Sequence, residues 1–251
     1  MVVEAWLARA AAQRPGHIAL QSSGESRSYG ELYAAALTGS RALRELGAGP
    51  GARVAIALPP GLEFAIALHS CLLLGAVAVP LDLRLARAER EVIAEGCAAV
   101  LAEPLPTDPG MPSQGEEPAG HDLDATAVVI HTSGTTAAPR PVELTYGNLL
   151  WSALGSAVAL GLDPAELWLC TLPLSHVGGL SILVRSAIYA TTAEIHERFD
   201  AERVLAALAG EVTLVSLVAT TLARLLDAGL EQPPSLRCAL TGGGPVPAAR
   251  S

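Results

Sequence analysis

Ala125-Thr-Ala-Val-Val-Ile-His-Thr-Ser-Gly-Thr-Thr-Ala-Ala-Pro-Arg-Pro-Val-Glu-Leu144 is the stretch on which the reading of this chain turns. Its opening, Ala125 to Ile130, is short and apolar, the pattern of a buried strand. Thr132 to Pro141 then predicts an exposed loop of weak order at the strand's end. Thr132, Ser133, Thr135 and Thr136 set four hydroxyls around Gly134. Hydroxyls and free backbone N–H groups at a strand end suit phosphate oxygens. A polar turn between two strands accounts for the same residues, so composition alone leaves both readings open.

Outward from this stretch the chain alternates. Before it, Val2 to Gln13 predicts a helix, Ala19-Leu20 and Ser28-Tyr29 short strands, and Glu31 to Leu46 a helix closed by Gly47. Arg53 to Leu58 predicts a strand, Leu62 to Leu74 a helix, Val77 to Val79 a strand, Ala86 to Glu95 a surface helix and Ala98 to Leu101 a strand. Glu103 to Asp124, rich in Pro, Gly and acid, predicts an exposed loop. After it come a helix at Tyr146 to Leu160, a strand at Leu167 to Leu172 and a helix at Leu180 to Tyr189. The alternation continues through Ala193–His196, Ala201–Ala209, Val212–Ser216, Thr220–Ala228 and Leu236–Leu240. Such a chain is α/β, with mostly parallel sheets flanked by helices. The expected division is 1–124 and 125–251.

Composition excludes some classes of function. A net charge of −9 argues against nucleic-acid binding, which needs a basic patch. All 16 basic residues are Arg, so no chemistry that needs Lys is available to this chain. Cys71, Cys97, Cys170 and Cys238 form no Cys-x-x-Cys pair and read as free thiols in a reducing, cytoplasmic setting. Glu4 and Arg9 interrupt the N-terminus before a signal sequence can build. Phe64 to Leu81 is uncharged, but His69, Ser70, Gly75 and Pro80 break it into helix, turn and strand rather than a membrane span. No stable membrane insertion is expected, and the oligomeric state is left open.

Thr132-Ser-Gly-Thr-Thr136 followed by Pro139 and Arg140 resembles the phosphate loop of the adenylate-forming enzymes, which include acyl-CoA synthetases, luciferases and peptide-synthetase adenylation domains. Their loop usually reads Thr-Ser-Gly-Thr-Thr-Gly-Lys-Pro-Lys-Gly. This chain departs from it at Ala137, Ala138, Arg140 and Pro141. Ser28-Tyr-Gly-Glu-Leu32, Gly51-Ala-Arg-Val-Ala55 and Gly75-Ala-Val-Ala-Val-Pro-Leu81 look like the N-terminal part of the same superfamily, in the right order. The resemblance implies ATP, Mg²⁺ and CoA, with Thr132, Ser133, Gly134, Thr135, Thr136 and Arg140 at the nucleotide.

Leu172-Pro-Leu-Ser-His-Val-Gly-Gly-Leu180 follows a predicted strand, where ligands gather in open α/β sheets. A histidine so placed can be a plain structural hydrogen-bonder. The resemblance instead places His176 against the acyl carboxylate and the α-phosphate, orienting and stabilising charge. Ser181, Arg185 and Tyr189 share one helix face. From spacing alone that stripe is solvated; alternatively Arg185 clamps a carboxylate. Gly178 and Gly179 are expected to interrupt the helix and leave His176 in the preceding loop. Thr241-Gly-Gly-Gly-Pro245 follows another strand; it is a flexible turn or, by resemblance, the place where Gly242, Gly243 and Gly244 pass adenine and Gly243 the acyl group. His131 and Glu143 read as structural and surface residues. His17, His69, His121 and His196 lack metal-ligand spacing, so no protein metal site is expected.

Thr145-Tyr-Gly-Asn148, Trp151-Ser-Ala153, His176 to Ile182, Arg185 and Gly242 to Pro245 together look like the o-succinylbenzoate–CoA ligases of menaquinone synthesis. That substrate has two carboxylates: one is activated, the other needs a fixed cation, and Arg185 matches the position that would supply it, with Ser181 a further candidate for binding the substrate. Three functions follow as expectations. One is the N-terminal part of an acid–CoA ligase whose mobile C-terminal domain is absent, inactive or weakly active alone. The second is a non-catalytic acyl- or nucleotide-binding module, and the third an adenylating enzyme for another acid.

Overall fold

The computed structural model describes residues 1–107, 120–132 and 140–244. Two sheets organise it. The five-stranded sheet has the order β6-β4-β5-β8-β9, from β4 (Arg53–Ile56), β5 (Val77–Pro80), β6 (Ala99–Leu101), β8 (Thr126–Thr132) and β9 (Arg140–Thr145). The six-stranded sheet has the order β13-β12-β10-β11-β2-β3. Its strands are β2 (Ile18–Ser22), β3 (Glu25–Ser28), β10 (Leu167–Cys170), β11 (Thr192–Ile195), β12 (Leu214–Val218) and β13 (Cys238–Gly242). Only the edge strands β3 and β9 run antiparallel to their neighbours within these two sheets. A small ribbon pairs β1 (Val2–Val3) with β7 (His121–Asp122). Each large sheet draws strands from both sides of residue 125.

Side-chain alternation along the strands builds three layers of apolar contact. On β4, Val54 and Ile56 join the central core while Ala55 faces an outer one; on β10, Trp168 and Cys170 face the centre and Leu169 faces out. That is the two-residue period of a strand. The central core unites both sheets through α1 (Trp6–Gln13), α2 (Tyr29–Glu45), α3 (Leu62–Leu74), α5 (Tyr146–Leu160) and α6 (Val177–Tyr189). The outer cores are covered by α4 (Arg87–Ala94) on one side, and by α7 (Ala201–Leu208) and α8 (Ala219–Asp227) on the other.

α3 explains the apolar stretch that mimics a membrane span. Every residue of it except Glu63 is buried. A helix that is apolar all round belongs in the interior. Gly75, at φ +75°, ends it in the left-handed conformation that glycine adopts without a Cβ penalty. The chain then turns directly into β5. Among the described residues no helix is long and apolar enough to cross a membrane.

Local chemistry also corrects several predicted bounds. The first helix starts at Trp6, because Val2–Val3 pairs with the His121–Asp122 strand inside the expected 103–124 loop. Tyr29 opens α2 rather than ending a strand, since Ser28 caps it: Glu31 N–H donates to Ser28 Oγ at 3.3 Å, and Ser28 N–H to Glu31 Oε2 at 2.7 Å. α6 begins at Val177 and runs through Gly178 and Gly179 without interruption. β9 is the second strand that the polar-turn reading implied, and it starts at Arg140, inside the expected 132–141 loop; Pro141 obscures it, and edge strands tolerate proline.

Candidate active site

The carboxyl ends of parallel strands from both sheets meet at one cleft of about 380 Å³. Leu58 and Pro60 follow β4, Leu81 to Arg84 follow β5, Thr171 to Ser175 follow β10, and Glu197 to Phe199 follow β11, with Val218 at the end of β12. Ligands of open α/β sheets collect at this edge. β8 runs parallel to β5, so Thr132 leaves its sheet on the same edge. There Thr132 pairs with Arg140 on β9, and both are exposed. Ser133, Gly134, Thr135 and Thr136 lie outside the described residues, as do Ala137 and Ala138.

Gly242 ends β13 opposite Val218 of the cleft wall, and Gly243 follows at φ +78°. A Cβ on Gly243 would lie 3.3 Å from Val218 Cγ1. Gly242, Gly243 and Gly244 are exposed, so the loop is open to a ligand on the same edge.

His176 is the residue before α6, with extended backbone (φ −115°, ψ 152°). This, rather than a glycine break, frees its side chain from the rotation of the helix. The spacing of His176 and Arg185 would otherwise turn them about half a turn apart. Gly179 is needed for a different reason: a Cβ there would sit 2.5 Å from Pro173 O and 2.7 Å from Leu172 O. The glycine lets the helix start close against the loop that carries His176. The imidazole is partly exposed, and its Nε2 lies 3.2 Å from Arg84 Nη2 and 3.5 Å from Asp82 Oδ2.

Asp82 and Arg84 were not singled out in the sequence. Arg84 Nε donates to Asp82 Oδ1 at 2.9 Å and Nη2 to Oδ2 at 2.6 Å. These bonds hold the Asp82 carboxyl below its ordinary range, against the opposing effect of burial. The usable signal was their place, immediately beyond a parallel strand, where a charged pair lines the cleft.

Arg185 faces α5 instead, and Ser181 is buried. Ser181 Oγ donates to Gly178 O at 3.3 Å within its own helix. Arg185 Nη2 donates to Ser152 Oγ at 3.0 Å, and its guanidinium lies 5.6 Å from the Trp168 ring centroid, within cation–π range. The predicted stripe is thus packed between helices rather than solvated. Arg185 is half-buried, its Nε has no hydrogen-bond partner, and among the described residues it makes no ion pair. Burial pulls its guanidinium pKa down, only partly countered by Tyr189. Ser181, Arg185 and His176 are not among the residues that line the cleft; His176 reaches it through Arg84.

His131 and Glu143 are not among the residues that line the cleft. Arg53 Nη2 donates to Glu143 Oε1 at 2.8 Å, an exposed pair of small energetic weight. His131 continues β8, and burial followed by Arg53 lowers its pKa. Among the described residues no three His, Cys, Asp or Glu side chains cluster to hold a metal.

The two-sheet frame, with a cleft at the carboxyl ends of its parallel strands and Thr132 leaving β8 on the same edge, places the chain among α/β proteins with a ligand cleft at the strand ends. The chain belongs to the AMP-binding enzyme family, which matches residues 7–102 and 99–251. It is 36% identical to the 2-succinylbenzoate–CoA ligase of Bacillus subtilis (strain 168), over 96% of this chain and 54% of that protein. It is 34% identical to that of Geobacillus kaustophilus (strain HTA426), with the same coverage. The chain spans about half the length of the curated relatives it matches. Among solved structures it is similar to o-succinylbenzoate CoA synthetase from Bacillus subtilis bound to the acyl-adenylate intermediate. That match has a TM-score of 0.90 and 35% identity, covering 98% of this chain and 70% of that one. The same enzyme in complex with ATP and magnesium ion matches with TM-score 0.88 and 34% identity, covering 98% and 56%.

Proposed function

We propose that this chain is the acid-activating part of an o-succinylbenzoate–CoA ligase. The carboxylate of the acid attacks the α-phosphorus of ATP, pyrophosphate leaves, and an acyl-adenylate forms. The CoA thiol then attacks the acyl carbon and AMP leaves. His176 orients the reacting carboxylate and stabilises charge at the α-phosphate, and the hydroxyl loop with Arg140 and the Gly242–Gly244 turn receives the nucleotide. Mg²⁺ would arrive with ATP and be held mainly by phosphate oxygens. The four unpaired cysteines fit a cytoplasmic setting.

One observation carries the substrate reading: Arg185, a half-buried guanidinium on α6 with an unsatisfied Nε and no acid partner among the described residues. A second carboxylate on the substrate would supply the acid partner, at the Nη groups, since Nε itself is buried. Arg185→Ala is expected to weaken o-succinylbenzoate by about 1.5–3 kcal/mol, the value of one charged hydrogen-bonded contact, and benzoate far less. Arg185→Lys should recover little, because an ammonium cannot reproduce the planar fork. Calorimetric titration with both acids checks this; equal losses for the two would reduce the substrate to a carboxylic acid of unstated kind.

Ala137 and Ala138 favour a second reading, an acyl- or nucleotide-binding module without adenylation chemistry. Pyrophosphate exchange that depends on the acid separates the two: exchange excludes the module. In either case, restoring the loop cation should tighten the nucleotide. Ala138→Lys is expected to raise ATP affinity about 10- to 150-fold, as one charge-assisted contact would. ATP binding no tighter than in the native chain would show that Arg140 already fills the role.

A further inference from the structure

We propose that Arg84, clamped by Asp82, is a positioning residue for His176 that fixes its ring as the Nδ1–H tautomer, leaving Nδ1–H as the donor the ring can offer an anionic oxygen. The inference rests on the reading that His176 serves the acid and phosphate site.

Arginine carries only donors. Arg84 Nη2 lies 2.6 Å from Asp82 Oδ2 and 3.2 Å from His176 Nε2, so one of its hydrogens goes to each. The second bond requires a lone pair on Nε2. A proton on Nε2 would set two donors against each other at 3.2 Å. It would gain in exchange only the longer approach to Asp82 Oδ2, at 3.5 Å. In free histidine the Nε2–H form predominates, so this arrangement reverses the default.

Asp82 makes Arg84 a fixed donor. Its Oδ1 accepts from both the backbone N–H of Arg84 at 3.0 Å and Arg84 Nε at 2.9 Å, while its Oδ2 takes Nη2. The side chain of Asp82 is 17% exposed and that of Arg84 is 68% exposed, so the several-point geometry of the pair, rather than exclusion of water, holds the guanidinium in place. The same contacts keep the carboxyl ionised, and it has no proton to pass to Nε2. The backbone of His176 is pinned separately. Its N–H donates to Pro173 O at 3.2 Å, and its carbonyl accepts from Leu180 N–H at 3.0 Å. The loop fixes where the ring is rooted, and Arg84 fixes which nitrogen bears the proton. This tautomer suits binding to anions: a neutral imidazole with one committed donor stabilises developing negative charge without first losing a proton.

The test is the tautomer itself, read on the ¹⁵N-labelled chain by two-bond ¹H–¹⁵N correlation at about pH 8.5, well above the ordinary imidazole value near 6.5. His176 signals are those lost in His176→Gln. The native chain should show Nδ1 protonated and Nε2 bare. Arg84→Ala should move the tautomer ratio toward Nε2–H by about 10-fold or more, the effect of one charge-assisted bond. Arg84→Lys should restore part of the native ratio, and Asp82→Asn should give an intermediate shift. A native ring found as Nε2–H, or an unchanged ratio in Arg84→Ala, overturns the proposal. Binding of o-succinylbenzoate to His176→Gln is the separate measure of the site. Undiminished binding there sinks the site reading, whereas diminished binding with a native Nε2–H ring sinks only the role of Arg84.

Discussion

Lowering the pH from about 6.5 to about 4 is expected to remove several kcal/mol of folding stability, through two histidines buried in the neutral form. His69 lies wholly inside α3, and burial lowers its pKa to about 4. His121 is lowered to about 3, by burial first and by His69 second. Its ring stacks on Tyr146 at 4.4 Å and meets Trp6 edge-on at 4.5 Å. Its Nε2 accepts the backbone N–H of Trp6 at 3.3 Å, satisfying a donor at the start of α1, which has no side-chain cap of its own. Protonation would remove that acceptor and place a charge among aromatic rings.

The sign follows from proton counts. Both groups take up protons near 6.5 when unfolded but stay neutral when folded until the lower values, so within that window the unfolded state binds more protons. Stability is therefore intact above about 6.5 and falls as acid is added, by roughly 1.4 kcal/mol per pH unit for each histidine. Against a typical total of about 5–15 kcal/mol, that is enough to unfold a marginal chain. Urea midpoints measured across the range should fall steeply. His69→Gln and His121→Gln should each flatten the slope, and the double variant should flatten it most, leaving the smaller share of His17 and His131, whose values are lowered too. An unchanged slope in the double variant would place the acid sensitivity elsewhere.

How far the sequence discloses this molecule depends on whether the cue is local. α3 and α5 were legible to the residue, because Gly61 and Gly75 bracket one and Thr145 and Gly161 the other. β9 was not, because Arg-Pro-Val-Glu-Leu-Thr mixes proline and charge, and it is a strand only by virtue of β8 beside it. The same holds at the site. His176 and the glycine turn announce themselves after predicted strands, but Asp82 and Arg84 look like ordinary surface charges until the two sheets bring the carboxyl ends of β5 and β10 to one cleft. His121 is the extreme case: its work as an acceptor for Trp6 joins residues 115 apart in sequence, and no short pattern encodes it.

Trp168 links the core to the proposed substrate arginine, and its truncation is expected to be the most damaging single change. It is 1% exposed on β10 and faces the central core. Its indole N–H donates to Ser216 Oγ on β12 at 3.0 Å, tying neighbouring strands together by side chain as well as backbone. On its other side lies the Arg185 guanidinium, whose remaining described hydrogen bond is the one to Ser152. Trp168→Ala should cost about 3–5 kcal/mol, the range for emptying a buried aromatic site. It should also release Arg185 from its seat, so the variant would lose its preference for o-succinylbenzoate over benzoate as well as stability. Trp168→Phe separates the two effects. It keeps an aromatic face for Arg185 but leaves Ser216 without its donor and a smaller void, so much of the acid preference should survive at an intermediate stability. Urea unfolding and paired acid titrations of the two variants check this. A Trp168→Ala chain within about 1 kcal/mol of the native one would show that the core closes over the gap. A Trp168→Phe chain that lost acid preference as completely as Arg185→Ala would show that the indole, and not merely an aromatic face, holds the arginine in place.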